Sequence, residues 1–506
     1  MTLLRRINAL AMKIPRRAIL GSLMFLACMF SYVIRTNLSI IIVAMVQPTG
    51  KGNSTKGPYC QDANQFGSNS STPKVIDDFG ERYAWSQNMQ GQILAAYFYG
   101  TLPSSIPGGM LAEKFGGARV VAFATLIPAL LNLAIPWVAV HHYMFVFALR
   151  CISGFFGSAI YPALHAMIAR WVPPSEKGMF VWTMQGGPFG TFVTLSLCGV
   201  IISELGWKAA YYVTSGLMLL FYLLWVWLAY DTPEVHPTIT EEEKTYIKEQ
   251  IGSSVSKQKV ALPIISILTS LPFLVLLYAH FANMWGIYFI STNGPKYTLE
   301  ILGFNMKKAG ALTGVPYISR LAAGVAFAAA GDFCRRKELL TLGWIRRIFM
   351  LFSHIGPAVC LLLMTYAKCE SLEAITWMIL ALTFNGAACQ TNLVNHQDLA
   401  PNFAGSLYGI MNTVGSFSGF IIPAIIGALT NEHNGIDEWS IMFYISSAVF
   451  GSATLLFWLF GSATIQPWND QNQQTKSANL AEEEIQINFP IKDVASSGEE
   501  EENEKL

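Results

Sequence analysis

Charged residues are scarce in this chain. Aspartate, glutamate, lysine and arginine make up 13% of its 506 residues, against about 25% in soluble domains. Hydrophobic residues make up 53%, and they form runs long enough to cross a bilayer. The net charge of +1 excludes the strongly basic surface on which nucleic-acid binding depends. This composition predicts an all-α membrane protein that crosses the bilayer many times.

The sequence also lacks the motifs of several enzyme classes. It contains no P-loop, no catalytic triad and no His-Glu-x-x-His motif. Its eight cysteines form no Cys-x-x-Cys pair and no metal-binding cluster with histidine. We therefore expect neither an enzyme nor a resident cofactor or metal ion. Cys60 and Cys369 fall in loops that we place outside the membrane, and the sequence leaves open whether they pair.

Twelve segments are long and apolar enough to be transmembrane helices, which need about 20 residues each. They are numbered spans 1 to 12 and cover approximately 18–46, 88–111, 118–140, 143–170, 179–203, 208–230, 271–292, 309–330, 347–367, 373–396, 403–429 and 440–463. The first run is too long for a cleavable signal peptide, so we interpret it as span 1. The prediction is twelve transmembrane helices in two six-helix halves.

Lysine and arginine are concentrated before span 1 and in short loops on the same side of the predicted bundle. Because basic residues mark the cytoplasmic side, we place both termini there. The regions are a cytoplasmic N-terminus 1–17, a first half 18–230 with a long outside loop 47–87, a cytoplasmic linker 231–270, a second half 271–463 and an acidic tail 464–506. The tail has too few apolar residues to fold around and is predicted to be disordered.

Two glycosylation motifs lie in the outside loop. They begin at Asn53 and Asn69, each followed by serine and then by threonine or serine. We predict that both asparagines carry glycans. Outside glycans and an acidic cytoplasmic tail suit the plasma membrane and lysosomal or vesicular membranes equally, so the sequence does not decide between these membranes.

A weak internal repeat supports the division into two halves. Glu113 and Arg119 lie beside glycines between spans 2 and 3, and Asp332 and Arg335 follow a glycine between spans 8 and 9. Repeated halves around a central site are a common architecture of secondary transporters. We interpret these four charged residues as contacts that lock neighbouring helices at the cytoplasmic turns.

Polar residues recur in every third span at spacings of three and four, which place side chains on one helix face. They are Ser31, Arg35 and Ser39 in span 1; Arg150, Gly154, Gly157, Tyr161 and His165 in span 4; His280, Asn283, Met284 and Tyr288 in span 7; and Asn385, Cys389, Asn392 and His396 in span 10. Spans 3, 6, 9 and 12 have far fewer polar residues. The pattern predicts a bundle around a central polar cavity.

Two arginines within these faces have no acid nearby in the sequence. Arg35 and Arg150 both lie roughly 10–16 Å below the outer surface, at 1.5 Å per residue. A charge at this depth is unfavourable without a partner, and a guanidinium grips carboxylate or phosphate with two hydrogen bonds. We therefore predict that both arginines bind one anion. The alternative is that backbone carbonyls or a carboxylate hold each arginine and that it only stabilises the bundle.

Further side chains are predicted to line the same cavity. They are Tyr97, Tyr99, Tyr288, Asn283 and Asn392. His165 is either a proton carrier or a buried, hydrogen-bonded histidine, and the sequence does not decide between these roles.

Several local sequences resemble one family. They are Arg35-Thr36-Asn37-Leu38, Ile106-Pro107-Gly108-Gly109, Tyr161-Pro162-Ala163-Leu164-His165, Arg346-Arg347-Ile348-Phe349 and Asn395-His396-Gln397-Asp398. From about 18 to 468 the chain resembles the organic-anion and phosphate cotransporters of the major facilitator superfamily, which include sialin, the vesicular glutamate transporters and the type I sodium–phosphate cotransporters. The resemblance implies the major facilitator fold and alternating access for a small anion. It matches Arg35, Arg150, His165 and Tyr288 to functional positions of the family.

The chain departs from this family at two places. Proton-linked members carry glutamate in span 4, where this chain has Ser153 and Gly157. Glutamate transporters carry a histidine in span 2 and an arginine in span 7, where this chain has Leu94 and Asn283. The resemblance therefore provides no span 4 carboxylate for proton coupling, and it argues against a vesicular glutamate transporter.

The combined prediction is a secondary active transporter of inorganic phosphate or an organic carboxylate. Coupling is either to sodium, through polar and carbonyl groups, or to protons through His165. One alternative is an uncoupled anion uniporter or channel, and another is a membrane sensor that binds an anion without moving it. The anion and the bilayer are the expected partners, nucleic acid is not, and the chain is expected to act as a monomer.

Overall fold

A computed structural model describes residues 15–47, 60, 78–173, 183, 185–252 and 262–469. These residues form helices and their connections, and the one β-type contact among them is an isolated bridge between Val46 and Tyr83. The predicted all-α membrane fold with two six-helix halves is confirmed.

Each predicted span corresponds to a helix or to two consecutive helices. Spans 1 to 6 are Arg16–Met45, Gln87–Phe115, Gly117–Val138, Tyr143–Gly157 with Ile160–Trp171, Gly186–Leu205 and Trp207–Leu228. The linker contains Glu241–Gly252 and Ile264–Leu268. Spans 7 to 12 are Leu271–Lys296, Met306–Arg336, Leu342–Met350 with Gly356–Ala367, Ser371–Asn385 with Asn395–Leu399, Ala404–Ser416 with Ser418–Leu429, and Ile436–Phe460.

Eleven of the described spans are both long and apolar enough to cross a membrane, and span 2 is the exception in apolarity. Span 2 has 29 residues, or roughly 43 Å of helix, which exceeds the bilayer core. Its polar side chains Gln87, Gln90, Thr101 and Ser104 are buried inside the protein. They therefore do not face lipid, and span 2 crosses the membrane as part of the bundle interior.

Glycines with positive φ make the sharp turns between consecutive spans of the first half. Gly116, with φ of 96°, ends span 2, and Gly206, with φ of 82°, separates spans 5 and 6. L-residues with a side chain rarely adopt this backbone conformation. At Gly116 a Cβ would also overlap the carboxylate of Asp231, which accepts a hydrogen bond from the Ala118 amide at 2.7 Å. The turn thus brings a carboxylate to the N-terminus of span 3, where the helix dipole favours it.

Span 10 does not continue as one helix, and the prediction of a shared face from Asn385 to His396 is wrong. The helix ends at Asn385, a 3-10 segment Gly386–Gln390 follows, and a short helix resumes at Asn395. Gly386 packs so closely against span 8 that a Cβ there would lie 2.8 Å from the Arg320 carbonyl oxygen. The break redirects the side chains that follow, so helical spacing does not describe their positions.

The two halves are packed tightly at the outer side. A Cβ at Gly91 of span 2 would lie 2.5 Å from the Pro423 carbonyl oxygen of span 11, and the Lys296 ammonium donates to the Gln87 side chain. A Cβ at Gly405 or Gly409, near the cytoplasmic end of span 11, would meet nothing within 4 Å. The two halves are therefore closed against each other on the outer side.

A disulfide joins the halves on the outer side. Cys60, in the loop after span 1, is bonded to Cys369, in the connection between spans 9 and 10, with their Cα atoms 5.3 Å apart. The pairing that the sequence left open is thus present. Because 309 positions separate the two cysteines, the bond restricts a very long loop of the unfolded chain.

We predict that Cys60→Ser and Cys369→Ser each lower the stability of the purified protein by about 2–4 kcal/mol, because each removes the same long-range cross-link. The measurement is thermal unfolding in detergent with and without reductant. Cys334→Ser is the matched control, since Cys334 is a free and partly buried thiol.

The double variant is expected to match either single variant, and reductant is expected to have no further effect on it. Additive losses in the double variant, or equal losses from Cys334→Ser, would contradict this account.

Candidate functional site

Arg35 lies in span 1 within a box of aromatic rings. Its guanidinium carbon is 5.0 Å from the Tyr32 ring centre, 5.3 Å from Tyr97, 5.4 Å from Phe98 and 5.5 Å from Tyr288. Each such cation–π contact contributes about 0.5–2 kcal/mol, more when desolvated. The rings hold the positive charge in place and leave it without a neutralising negative charge.

A hydrogen bond to the second half completes this arrangement. The Arg35 Nη1 group donates to the Tyr288 hydroxyl of span 7 at 3.1 Å, while Arg35 Nε is buried and has no partner among the described residues. The Tyr288 ring also packs on Phe98 with ring centres 4.7 Å apart. Arg35 therefore lies at the contact between the two halves and retains unused hydrogen-bonding capacity.

Arg150 is held differently. It is 2% exposed, and its two terminal nitrogens donate to the carbonyl oxygens of Ile34 at 2.5 Å and Arg35 at 3.1 Å. Its guanidinium also lies 5.2 Å from the Tyr97 ring, which Arg35 contacts as well. The structure thus brings both predicted arginines together, but Arg150 uses its planar fork to fix the backbone that carries Arg35.

The described ion pairs leave both arginines without an acid. They join Lys208 to Glu81, Lys244 to Glu241 and Arg346 to Asp398. A cation at membrane depth is unfavourable by at least about 3 kcal/mol when nothing offsets it. The centre of the bundle therefore attracts negative charge.

Tyr97 occupies the space beside Gly157. A Cβ at Gly157 would lie 2.5 Å from the Tyr97 hydroxyl oxygen. By resemblance, Gly157 is where proton-linked relatives carry glutamate. The lack of a side chain at Gly157 therefore leaves room for the Tyr97 hydroxyl. This hydroxyl is neutral, whereas the glutamate of those relatives carries a carboxylate.

Tyr99 is not brought to Arg35. It is 40% exposed and stacks on Phe420 of span 11, with ring centres 4.9 Å apart. Residues two apart on a helix point in nearly opposite directions, so Tyr97 and Tyr99 cannot both face the cavity. Tyr97 and its neighbour Phe98 line the site.

Asn283 and Asn392 belong to a buried polar network in the second half. The Asn283 Oδ1 atom accepts from the Asn385 amide at 2.8 Å, and the Asn392 amide lies 3.2 Å from His280 Nδ1. No described hydrogen bond links either asparagine to Arg35. Asn283 Nδ2 is buried without a partner among the residues that the structure describes, which leaves its two N–H donors available on span 7.

The His165 side chain lies on an exposed face of span 4, and its two predicted roles, a proton carrier or a buried, hydrogen-bonded histidine, stay predictions. Its ring lies against Tyr408 of span 11 with ring centres 6.4 Å apart. Tyr408 in turn contacts His280 at 5.8 Å and His396 at 5.3 Å. His165 is therefore accessible and faces a group of histidines in the other half.

The contacts described at the cytoplasmic helix ends involve residues other than the four that the sequence predicted. Arg119, Asp332 and Arg335 are exposed and have no ion pair in the described part of the chain, and the side chain of Glu113 lies outside that part. The cytoplasmic ends are held instead by Asp231 on span 3 and by Arg346, which pairs with Asp398 at 2.7 Å. The predicted glycosylation sites Asn53 and Asn69 also lie outside the described residues.

The sequence reasoning missed a third arginine in the bundle. Arg320 of span 8 is 9% exposed, and its Nε group donates to Asn385 Oδ1 at 2.8 Å. The signal that singled out Arg35, a charge inside an apolar run, also applies to Arg320 in 309–330. The second half therefore contributes its own buried cation.

Comparisons with known proteins agree with this architecture. The family model described as Major Facilitator Superfamily matches residues 20–423. Sialin from Ovis aries is 33% identical over 90% of this chain and 91% of its own length. Vesicular glutamate transporter 1 from Xenopus tropicalis is 31% identical over 93% of this chain and 80% of its own length.

Solved structures also match nearly the whole fold. A D-xylose-proton symporter superposes with a TM-score of 0.63 at 12% identity, covering 88% of this chain and 98% of that one. An inward-facing bacterial homologue of the lysosomal transporter Spinster superposes with a TM-score of 0.60 at 10% identity, covering 88% and 97%. At such low identity the likeness shows the fold alone.

We predict that Gly157→Ala destabilises the protein by about 1–3 kcal/mol, because the new methyl group overpacks against the Tyr97 hydroxyl. Tyr97→Phe removes that oxygen, so the double variant is expected to recover most of the loss. A double-mutant cycle from thermal unfolding measures the coupling. Simple additivity of the two single changes would show that Tyr97 does not fill this space.

Proposed function

The chain belongs to the major facilitator superfamily, as its local sequences predicted, and we propose that it is a secondary transporter that moves a small anion by alternating access. Its similarity to sialin and to a vesicular glutamate transporter supports transport of an organic anion. The transported molecule is an organic carboxylate or inorganic phosphate.

One observation carries this proposal: Arg35 is a cation without an acid at the contact between the two halves. Its Nε donor has no partner in the described part of the chain, and its surroundings are aromatic. An anion that reaches this site supplies the missing negative charge. It also accepts hydrogen bonds from the free N–H groups of Arg35. Electrostatic attraction in such a low-dielectric site is much stronger than in water.

The Arg35–Tyr288 hydrogen bond provides a means by which the site responds to its ligand. In the structure Tyr288 accepts from Arg35 across the two halves. A bound anion competes for the same guanidinium group and can itself accept the Tyr288 hydroxyl proton in a hydrogen bond. Ligand binding therefore changes a contact between the halves, which is what a ligand must do to shift the balance of two conformations.

Arg150 supports this mechanism as a positioning residue. Its two hydrogen bonds to span 1 carbonyl oxygens fix the backbone at the point where Arg35 projects. Its charge also adds to the positive potential around the shared Tyr97 ring. In this proposal Arg35 contacts the anion, and Arg150 determines where Arg35 stands.

Coupling to a second ion takes one of two forms. His165 is exposed and close to Tyr408, so it can carry a proton during transport. Sodium, held by hydroxyl and carbonyl oxygens, is the other candidate. An uncoupled uniporter is the second candidate function, because a tyrosine hydroxyl stands beside Gly157, where a coupling carboxylate would otherwise lie.

Because the chain carries both halves of the transport path, we propose that it acts as a monomer. We also propose that it is a transporter and not an enzyme. It is a multi-pass membrane protein. Its membrane is proposed to be the plasma membrane or a lysosomal or vesicular membrane.

We predict that Arg35→Ala lowers anion uptake into proteoliposomes at least about tenfold, because it removes one partner of a desolvated charge pair. Arg35→Lys is expected to retain part of the uptake, since it keeps the charge but not the fork. Tyr288→Phe should reduce uptake about ten- to a hundredfold, as a hydrogen bond between a hydroxyl and a charged group is lost.

Arg336→Ala is the matched control, since this arginine is exposed at the end of span 8. The assay uses a panel of labelled anions under imposed pH and sodium gradients. Unchanged uptake of every accepted anion by Arg35→Ala would refute the proposed function.

If protons drive transport through His165, His165→Gln is expected to abolish uptake against a concentration gradient when only a pH gradient is imposed. Exchange of labelled for unlabelled anion should persist, because it needs no net proton movement. Uptake that still follows the pH gradient in this variant would exclude His165 as the carrier, and uptake that follows only sodium in the wild type would favour sodium coupling.

A further inference from the structure

Arg320 is a buried cation held from behind by a fixed polar network. The Asn385 side chain accepts from Arg320 Nε at 2.8 Å and donates to Asn283 Oδ1 at 2.8 Å and to the Ser353 carbonyl oxygen at 3.1 Å. These bonds orient Asn385, so its oxygen is presented to Arg320. Only the Nε atom of the Arg320 guanidinium takes part in this network. The two terminal nitrogens have no hydrogen-bond partner among the described residues.

Arg320 and Arg35 are connected to the same stretch of span 7. Asn385, which accepts from Arg320, donates to Asn283 of span 7, and Arg35 donates to Tyr288 of the same helix. Asn283 and Tyr288 are five residues apart, or roughly 7.5 Å along the helix axis. The two guanidinium groups are therefore held near one stretch of span 7, Arg35 from the first half and Arg320 from the second.

The positive charges of the central arginines are not balanced by acids in the described part of the chain. Of the three central arginines, Arg150 has its fork engaged by two carbonyl oxygens. Arg35 and Arg320 have no carboxylate partner in the ranges that the structure describes. A ligand with one negative charge would offset only one of these two cations, whereas a ligand with two would offset both.

We propose that Arg320 is a second anion-binding residue and that the preferred substrate is a dianion held by Arg35 and Arg320 at once. This inference rests on the proposed function and specifies its substrate class. The shared chemistry is two negative charges on one small molecule, as in a dicarboxylate or in divalent inorganic phosphate. A guanidinium fork suits the oxygens of either group.

The same arrangement predicts selection against singly charged anions. A monocarboxylate bound at Arg35 leaves the Arg320 guanidinium without a negative partner in a mostly buried site. Sites that leave a buried polar group unpaired discriminate strongly against the ligand that lacks the matching group. A dianion also connects span 1 to span 8, so its binding draws the two halves towards each other.

The test compares uptake of succinate, inorganic phosphate and butyrate into proteoliposomes for the wild type, Arg320→Gln, Arg320→Lys and Arg336→Gln. Butyrate has the carbon chain of succinate with one carboxylate fewer, and Arg336 is an exposed arginine on the same helix. Equal size-exclusion profiles and equal thermal unfolding midpoints establish that each variant is folded. Uptake of each anion is counted after subtraction of its uptake by protein-free liposomes.

The wild type is expected to take up succinate or phosphate faster than butyrate, and the faster of the two dianions identifies the source. Arg320→Gln should lower uptake of that dianion at least about tenfold, the effect of losing one partner of a buried charge pair, with butyrate uptake changed less than about twofold. Arg320→Lys should retain part of the preference, and Arg336→Gln should retain all of it.

Equal loss of dianion and butyrate uptake in Arg320→Gln, or no loss of either, would overturn this inference and leave the proposed function standing. A wild type that carries butyrate but neither dianion would do the same. A wild type that takes up none of the three anions would count against both the inference and the proposed function.

Discussion

The hydrogen bond from Arg35 to the Tyr288 hydroxyl joins the two halves of the bundle at a depth where charge is least tolerated. Aromatic rings surround this cation, and carbonyl oxygens rather than carboxylates hold its neighbour Arg150. The site is thus preorganised around a positive charge that no carboxylate among the described ranges neutralises. The energy released when an anion does so is available to change the contact between the halves.

The outer side of the molecule is arranged to favour one conformation. Tight glycine contacts such as Gly91 with Pro423, and the bond between Cys60 and Cys369, connect the halves there. The cytoplasmic ends are held within each half rather than between halves, as with Arg346 and Asp398. The outer contacts must open for transport to be completed, while the disulfide keeps the two loops attached to each other throughout the cycle.

Much of the fold could be predicted from hydropathy, because every span must satisfy the length of the bilayer whatever its neighbours are. The same reasoning found Arg35 and Arg150, since a charge in an apolar run is conspicuous. It failed where helical periodicity was extended across a break, as in span 10 after Asn385. It also placed both Tyr97 and Tyr99 at the cavity, although residues two apart on a helix face nearly opposite directions and Tyr99 stacks on Phe420 instead.

The sequence alone determined the number of spans, their division into halves and the presence of unneutralised arginines, because these follow from the cost of placing each residue type in a bilayer. Only the tertiary structure decided what each arginine does. Arg150 donates hydrogen bonds to carbonyl oxygens of span 1, and Arg35 donates one to Tyr288 of the second half. Arg320 donates one to Asn385. These roles depend on contacts between residues 65 to 253 positions apart, and such contacts leave no mark in local spacing or composition.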